Sequence, residues 1–97
     1  MSQFDRENLE RILEGYGDWY GALLLRTIAM GNVIERALLF MGYPQEVQAI
    51  ANIDHKPFTH PLGGSPEFEA ALDRLWIKAD AENRRKLARC FSRFDHM

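Results

Sequence analysis

The sequence predicts an all-α protein, a compact bundle of five or six short helices that forms a single helical domain over residues 1–97. Strand signals are nearly absent, since no run alternates apolar and polar residues and no Asn-Gly hairpin turn occurs. Helix-capping residues, by contrast, recur before apolar runs with helical spacing. The apolar content of 46% is enough to build a core at this chain length, so we expect a folded chain.

Two helices are predicted before residue 31. Ser2 or Asp5 can cap the first helix, which runs through Glu14. Asp18 can cap the second helix, which continues to about Met30. Because this second helix is apolar almost all round, we expect it to lie buried at the centre of the bundle.

Two further helices are expected in the middle of the chain. Asn32 caps a helix that ends at Gly42, and Pro44 fits the first position of a short helix ending near Asn52. Residues 53–64 hold two prolines and two glycines, which predicts a loop.

The last part of the chain predicts two more helices. Ser65 and Pro66 open a helix with Glu67 in its first turn, where a negative charge suits the helix dipole. Asp80 caps the final helix, which contains the segment DAENRRKLARCFSRF, residues 80–94.

A weak internal repeat links the two halves of the chain. A shift of 48 residues gives five identities over 22 positions, and the capping residues Asn32 and Asp80 coincide. The identical pairs are Ala22 and Ala70, Leu24 and Leu72, Arg26 and Arg74, Arg36 and Arg84, and Leu39 and Leu87. The pattern indicates a helix–cap–helix corner in each half and leaves open whether the halves are a duplication.

Charge and composition restrict the classes of protein. The net charge of -2 argues against a histone-like nucleic-acid binder, although residues 74–93 carry a local excess of positive charge. The longest apolar stretch, residues 19–30, is too short to span a bilayer, so no membrane partner is expected. A lone Cys90 and the absence of a leader segment favour a cytoplasmic protein in a reducing compartment.

The final predicted helix has a basic side and an apolar side. At about 100° per residue, the two sides lie nearly opposite each other. The basic side holds Arg85, Lys86, Arg89 and Arg93. The apolar side holds Leu87, Phe91 and Phe94. Two interpretations stay open for the basic side: a solvated helix surface, or a contact with phosphates or with an acidic protein surface.

Aromatic residues divide into core and partner-binding candidates. Trp19, Phe40 and Trp76 fit core positions of the predicted helices. Tyr43 and Phe58 lie near predicted loops or helix ends, where an aromatic ring is available to a partner.

No residue pattern indicates catalysis, a cofactor or a metal. The histidines of the predicted loop, His55 and His60, match no zinc-ligand spacing. Cys90 lies beside the apolar side of its helix, which is typical of a structural cysteine rather than a nucleophile. The sequence therefore predicts a protein that is not an enzyme and has no metal and no cofactor.

A helix-turn-helix interpretation of the middle helices is disfavoured. Gly42 and Tyr43 lie between two helices, as such a motif needs. However, no Lys or Arg occurs from residue 37 to residue 55, and a DNA reader needs cations that hold the phosphate backbone.

Two segments resemble small helical proteins encoded by phages and prophages. They are GYGDWYGALLLRTI (residues 15–28) and LWIKADAENRRKLARCF (residues 75–91), about a third of the chain. The proline expected soon after the final aromatic residue of that pattern is missing here. Some small phage proteins, including anti-CRISPR proteins, inhibit host defence by binding a host protein, and the resemblance implies such a class without assigning residues.

These observations predict a non-enzymatic protein-binding module, plausibly a phage-type, anti-CRISPR-like inhibitor of a host defence nucleoprotein complex in the host cytoplasm. The alternative is a small nucleic-acid-binding regulator that uses the basic C-terminal helix. The predicted partner is a host protein or nucleoprotein complex, direct contact with nucleic acid stays open, and a homodimer is possible. Partner-binding candidates are Arg85, Lys86, Arg89, Arg93, Tyr43 and Phe58.

Overall fold

The computed structural model describes residues 1–53 and 66–94, and it confirms the all-α class because no strand occurs in those two ranges. Their α-helices are α1 (Gln3–Glu7), α2 (Leu9–Leu13), α3 (Tyr20–Met30), α4 (Val33–Phe40), α5 (Pro44–Ile53), α6 (Pro66–Lys78) and α7 (Ala81–Cys90). A 3-10 helix, Ser92–Phe94, follows α7. The radius of gyration of 12.5 Å is that of a compact chain of this length.

The predicted first helix is divided in two, which adds one helix to the expected number. Ser2 caps α1 by accepting a hydrogen bond from the backbone N–H of Asp5. Asn8, with φ -108° and ψ 16°, leaves the helical conformation and separates α1 from α2. Its side-chain amide donates to the carbonyl oxygen of Phe4 at 2.9 Å, which closes the end of α1.

Helix α3 is the centre of the bundle, as its apolar sequence predicts. It packs against α2, α5 and α6, and Leu25 and Ile28 are completely buried. The predicted cap at Asp18 is wrong, because Trp19 occupies the N-cap position and α3 begins one residue later. The Trp19 indole N–H donates to Asp5 Oδ1 at 2.9 Å, so this residue ties the start of α3 to α1.

The segment of residues 15–28 is held together by Arg26. The Arg26 guanidinium donates to the carbonyl oxygens of Ile12 at 3.0 Å and Tyr16 at 3.1 Å, which joins α3 to the end of α2. Gly17 has a φ of 90°, a conformation that favours glycine, and an added Cβ there would collide with the Trp19 ring. The conspicuous residues of this segment therefore have structural roles inside the fold.

The corner predicted by the internal repeat occurs twice. Asn32 begins α4 with φ -79° and ψ -177°, and Asp80 begins α7 with φ -77° and ψ -179°. The side chain of each accepts a hydrogen bond from the backbone N–H three residues later, which confirms both predicted caps. Arg36 Nε donates to the Ile28 carbonyl at 3.1 Å, and the equivalent Arg84 Nε donates to the Trp76 carbonyl at 3.2 Å.

A polar chain joins three elements near the second corner. The hydroxyl groups of Tyr20 and Tyr43 lie 2.6 Å apart, and the Tyr43 hydroxyl donates to Asn83 Oδ1 at 3.0 Å. The Asn83 amide in turn donates to Asp80 Oδ1 at 3.0 Å. The cap of α7 is thereby linked to α3 and to the residue that precedes α5.

The end of α7 departs from the predicted helix. Phe91 takes an extended conformation, with φ -130° and ψ 114°, so α7 stops at Cys90. This turn allows Phe94 to be buried, where its ring stacks on Trp76 at 4.4 Å between centroids. Within residues 1–53 and 66–94, no helix is long and apolar enough to cross a membrane.

Candidate functional site

The outward side of α4 is apolar throughout. Val33, Ile34 and Met41 expose 66%, 69% and 57% of their surface. We call this surface the α4 face; it consists of Val33, Ile34, Ala37, Leu38, Phe40 and Met41. On a helix these six residues fall within about 160° of arc. Contiguous exposed apolar surface of this kind on a small protein is typical of an interaction site.

The two charged residues of α4 add no charge to this apolar surface, because both side chains point into the fold. Glu35 is buried and completes a capping box, in which its carboxylate accepts from the backbone N–H of Asn32 at 2.9 Å. Arg36 is half-buried and donates to the carbonyl oxygens of Ile28 and Ala29 at the end of α3. The sequence of α4 thus directs both charged side chains into the fold together with Leu39, and leaves its other apolar side chains on the outward side.

A groove separates the α4 face from α7. Its volume is about 430 Å³, and Leu38 and Met41 line it on the α4 side. Ala88, Arg89 and Phe91 line it on the α7 side. A groove of this size can take one or a few apolar side chains of a partner.

Gly42 sets the close contact at one end of this groove. A Cβ atom placed on Gly42 would lie 2.9 Å from Cys90 Sγ and 3.3 Å from Lys86 Cβ. Its φ is not positive, since Gly15 and Gly17 are the glycines with positive φ in the described ranges. Glycine is therefore needed at residue 42 for the approach of the end of α4 to α7, and not for backbone conformation.

Three cations lie together on α7 near Glu82, and we call them the α7 cations: Arg85, Lys86 and Arg89. Of these, Arg89 also lines the groove. Arg85 and Arg89 are exposed, and Lys86 is half-buried with its ammonium 5.4 Å from the centre of the Tyr43 ring. No carboxylate of residues 1–53 or 66–94 forms an ion pair with any of the three. They are available to an anionic group from outside the described part of the chain.

Arg93, predicted to share the basic side of this helix, lies beyond α7 and also lines the groove. Because α7 ends at Cys90, Arg93 lies in the 3-10 helix and its guanidinium binds the carboxylates of Glu69 and Asp73 on α6. Its positive charge is therefore already balanced inside the chain.

Tyr43 is also not the available aromatic that its position between two helices suggests. It is buried, with 3% of its surface exposed, and it supports the polar chain from Tyr20 to Asp80. Burial raises the pKa of Tyr43 to about 12 and raises that of Tyr20 as well. Its contribution to the site is indirect, since its ring lies beneath the Lys86 ammonium.

The remaining aromatic predictions have different outcomes. Phe40, predicted to be in the core, is 48% exposed and belongs to the α4 face, because Leu39 takes the inward position beside it. Phe58 lies outside the described residues, as do His55 and His60.

The described residues include side chains of the types that bind metal ions and a free cysteine, Cys90. No group of three or more His, Cys, Asp or Glu side chains that could hold a metal ion occurs in residues 1–53 and 66–94. Cys90 is buried, as its helical position predicts, and its Sγ lies 3.9 Å from the carbonyl oxygen of Leu39. Burial raises the pKa of the Cys90 thiol, which disfavours the reactive thiolate.

No protein-family model, curated protein or solved structure matches this chain. The fold and the site define a class in their own terms, a small all-α protein with an apolar helix face next to a cationic helix. The cationic helix is predictable from the sequence, whereas the apolar face was not predicted.

Proposed function

We propose that this chain is a non-enzymatic protein-binding module that contacts its partner through the α4 face. The observation that carries the proposal is a surface of six apolar residues on one side of α4, of which five are exposed and Leu38 is half-buried. Exposed apolar surface lowers solubility and contributes nothing to the core, whereas burial against a partner stabilises a complex by roughly 25 cal/mol per Å² before the costs of association. The α7 cations beside the groove would add partner selection and a faster encounter.

The phage-type inhibitor of a host nucleoprotein complex is one form that such a module can take. The resemblance that suggested it rests on two segments, and in both the conspicuous residues have structural roles. Arg26 joins α3 to the end of α2, and Asp80 and Arg84 form the second corner. The inhibitor hypothesis stays a prediction that the identity of the partner will test.

A capture experiment tests the α4 face directly. The immobilised chain is exposed to a lysate of its source cells, with and without nuclease, beside two variants. The first variant carries Ile34→Glu and Ala37→Glu on the α4 face. The control carries Ile77→Glu, since Ile77 is another isoleucine with 75% exposure but lies on α6. Both variants should fold, because exposed positions contribute little to stability.

The expected result is a protein partner that survives nuclease treatment, is retained by the Ile77→Glu control, and is lost with the α4 variant. A partner that binds the α4 variant as tightly as the unchanged chain would overturn the proposal.

The alternative is a nucleic-acid-binding regulator. It is supported by the three α7 cations, none of which has an ion-pair partner in the described ranges. Three phosphate contacts would give a slope of log affinity against log salt of about -2.7 for duplex DNA. Binding that has this slope, that disappears in the Arg85→Glu, Arg89→Glu variant, and that is unchanged by Ile34→Glu would favour this alternative. Anisotropy of a labelled duplex measures all three properties.

A further inference from the structure

We infer that the partner segment seated on the α4 face is an amphipathic helix whose apolar side is bordered by carboxylates. The inference rests on the proposed function, to which it adds the chemistry of the partner. Three observations support the inference independently. They are the shape of the groove, the positive charge on α7, and the meeting of like charges that a second copy would cause.

The shape favours an inserted apolar side chain. The α4 face is convex, but its edge falls into the groove between Leu38 and Met41 on one side and Ala88 and Phe91 on the other. A partner helix laid along α4 can place one apolar residue in this groove and others over Val33 and Ile34, as helix-in-groove complexes do.

The positive charge on α7 beside the groove favours acidic residues on the partner. Arg85 and Arg89 are four residues apart on α7, so they lie one turn apart on one side of it. Glutamates four residues apart on a partner helix have the same spacing and can meet both guanidinium groups. Lys86 adds a third positive charge, and its position over the Tyr43 ring keeps it close to the surface.

A second copy packed through its own α4 face would bring no carboxylate of the described residues to the α7 cations. The α4 face has no charged side chain, and its other edge, beside Phe40, is lined by Arg6, Gln45 and Gln48. In an antiparallel two-fold contact through α4, the α7 cations of each copy would face those of the other. Like charges facing each other oppose association, so charge complementarity favours a different chain.

A pair of synthetic helical peptides provides the test. Each has about 18 residues and a leucine stripe with the spacing i, i+3, i+4, i+7. The first has glutamates four residues apart along one border of the stripe, and the second has lysines at the same positions. Binding is measured by anisotropy or calorimetry with the unchanged full chain, the Arg85→Glu, Arg89→Glu variant, and the Ile34→Glu, Ala37→Glu variant.

We expect the glutamate peptide to bind the unchanged chain about tenfold more tightly than the lysine peptide, as two surface ion pairs allow. The charge-reversed variant should show the opposite preference. The α4 variant should bind both peptides weakly.

Other outcomes separate the inference from the function it rests on. Equal affinity for both peptides, with loss in the α4 variant, would overturn the acidic helix and leave the protein-binding face standing. Absence of binding to either peptide would overturn the inference. Stronger binding to vesicles with one-third anionic lipid would overturn the inference and indicate a membrane as the occupant of the α4 face. A dimer in sedimentation that is lost in the α4 variant would overturn it and indicate a second copy.

Discussion

Gly42→Ala is the change that most directly tests the geometry between α4 and α7. The new methyl group would lie 2.9 Å from Cys90 Sγ and 3.3 Å from both Cβ and the carbonyl oxygen of Lys86. The backbone of α7 cannot rotate away as the end of a flexible side chain could, and the Cys90 sulfur, on a short side chain, is held by its burial. The two helices must therefore separate by several tenths of an ångström.

The magnitude follows from two opposing effects. Forcing an extra methyl group into a packed contact costs about 1–3 kcal/mol. Alanine also restricts the unfolded chain, which stabilises the folded state by about 0.4–1 kcal/mol where the backbone conformation is compatible. The backbone at Gly42 is compatible because its φ is not positive. We expect a net loss of about 1–2 kcal/mol in the free energy of unfolding, or about 4–8 °C in melting temperature for each kcal/mol.

Urea unfolding followed by circular dichroism measures this loss, and Cys90→Ala supplies the control. Without the sulfur atom, the nearest obstacle to the new methyl group is gone. Gly42→Ala should therefore cost less in the Cys90→Ala background, by about 0.5 kcal/mol or more, which is the coupling expected of residues in contact. A neutral or stabilising effect of Gly42→Ala, or the same cost in both backgrounds, would refute the close contact between α4 and α7.

The remaining predictions concern the polar chain, the thiol and the cations. Tyr43→Phe should lower the free energy of unfolding by about 1–2 kcal/mol in urea titrations, because the hydroxyl of Tyr20 and the half-buried amide of Asn83 lose their partner; an unchanged midpoint would contradict the network. Burial raises the pKa of Tyr43 from 10 to about 12, so its contribution to stability should be complete below pH 10 and should be lost as the pH rises from 10 to 12. Thermal unfolding across that range should show the decline, and Tyr43→Phe should weaken it. Cys90 should react slowly with thiol reagents in the native state and quickly after unfolding, and rapid native labelling would show that it is accessible. The double change Arg85→Glu, Arg89→Glu should barely alter the melting temperature, since exposed charges contribute little to folding, and a large fall would place these side chains in the fold rather than at its surface.

Local sequence patterns were sufficient for most of the fold. The caps at Asn32 and Asp80 were readable because a short polar side chain before an apolar run satisfies free backbone N–H groups. Pro44 and Pro66 each occupy the first position of a helix, where proline fits without loss of a hydrogen bond. These features depend only on neighbours in the sequence.

Two predictions were wrong because they depend on tertiary contacts between residues far apart in the sequence. Periodicity extended the last helix through Arg93, whereas the stacking of Phe94 on Trp76 requires the chain to leave the helix at Phe91. Tyr43 was expected to be accessible because it lies between two helices. Its hydroxyl instead forms a hydrogen bond with the hydroxyl of Tyr20, which lies on α3 and is distant in the sequence. Neither long-range contact can be predicted from the neighbouring residues in the sequence.

The α4 face illustrates a further limit, because α4 is apolar on more than one side. Its sequence, VIERALLF, has two charges, and the usual interpretation places charged residues outward. Glu35 and Arg36 instead serve the cap and the end of α3. The signal that could have revealed this was the position of Glu35 three residues after Asn32, since a capping box commits that glutamate to the helix start.

Comparison of the two corners shows which features of α4 the fold requires. Leu39 and its equivalent Leu87 are both completely buried, and Arg36 and Arg84 make the same kind of contact with the preceding helix. The outward residues differ in chemistry: Val33, Ile34, Ala37, Leu38, Phe40 and Met41 on α4 correspond to Ala81, Glu82, Arg85, Lys86, Ala88 and Arg89 on α7. Because the same corner forms with a charged outer surface on α7, an apolar outer surface on α4 is not a condition for folding. Under the proposed function, a binding role accounts for that surface, and the side-by-side placement of the two outer surfaces would give one site both apolar contact and positive charge.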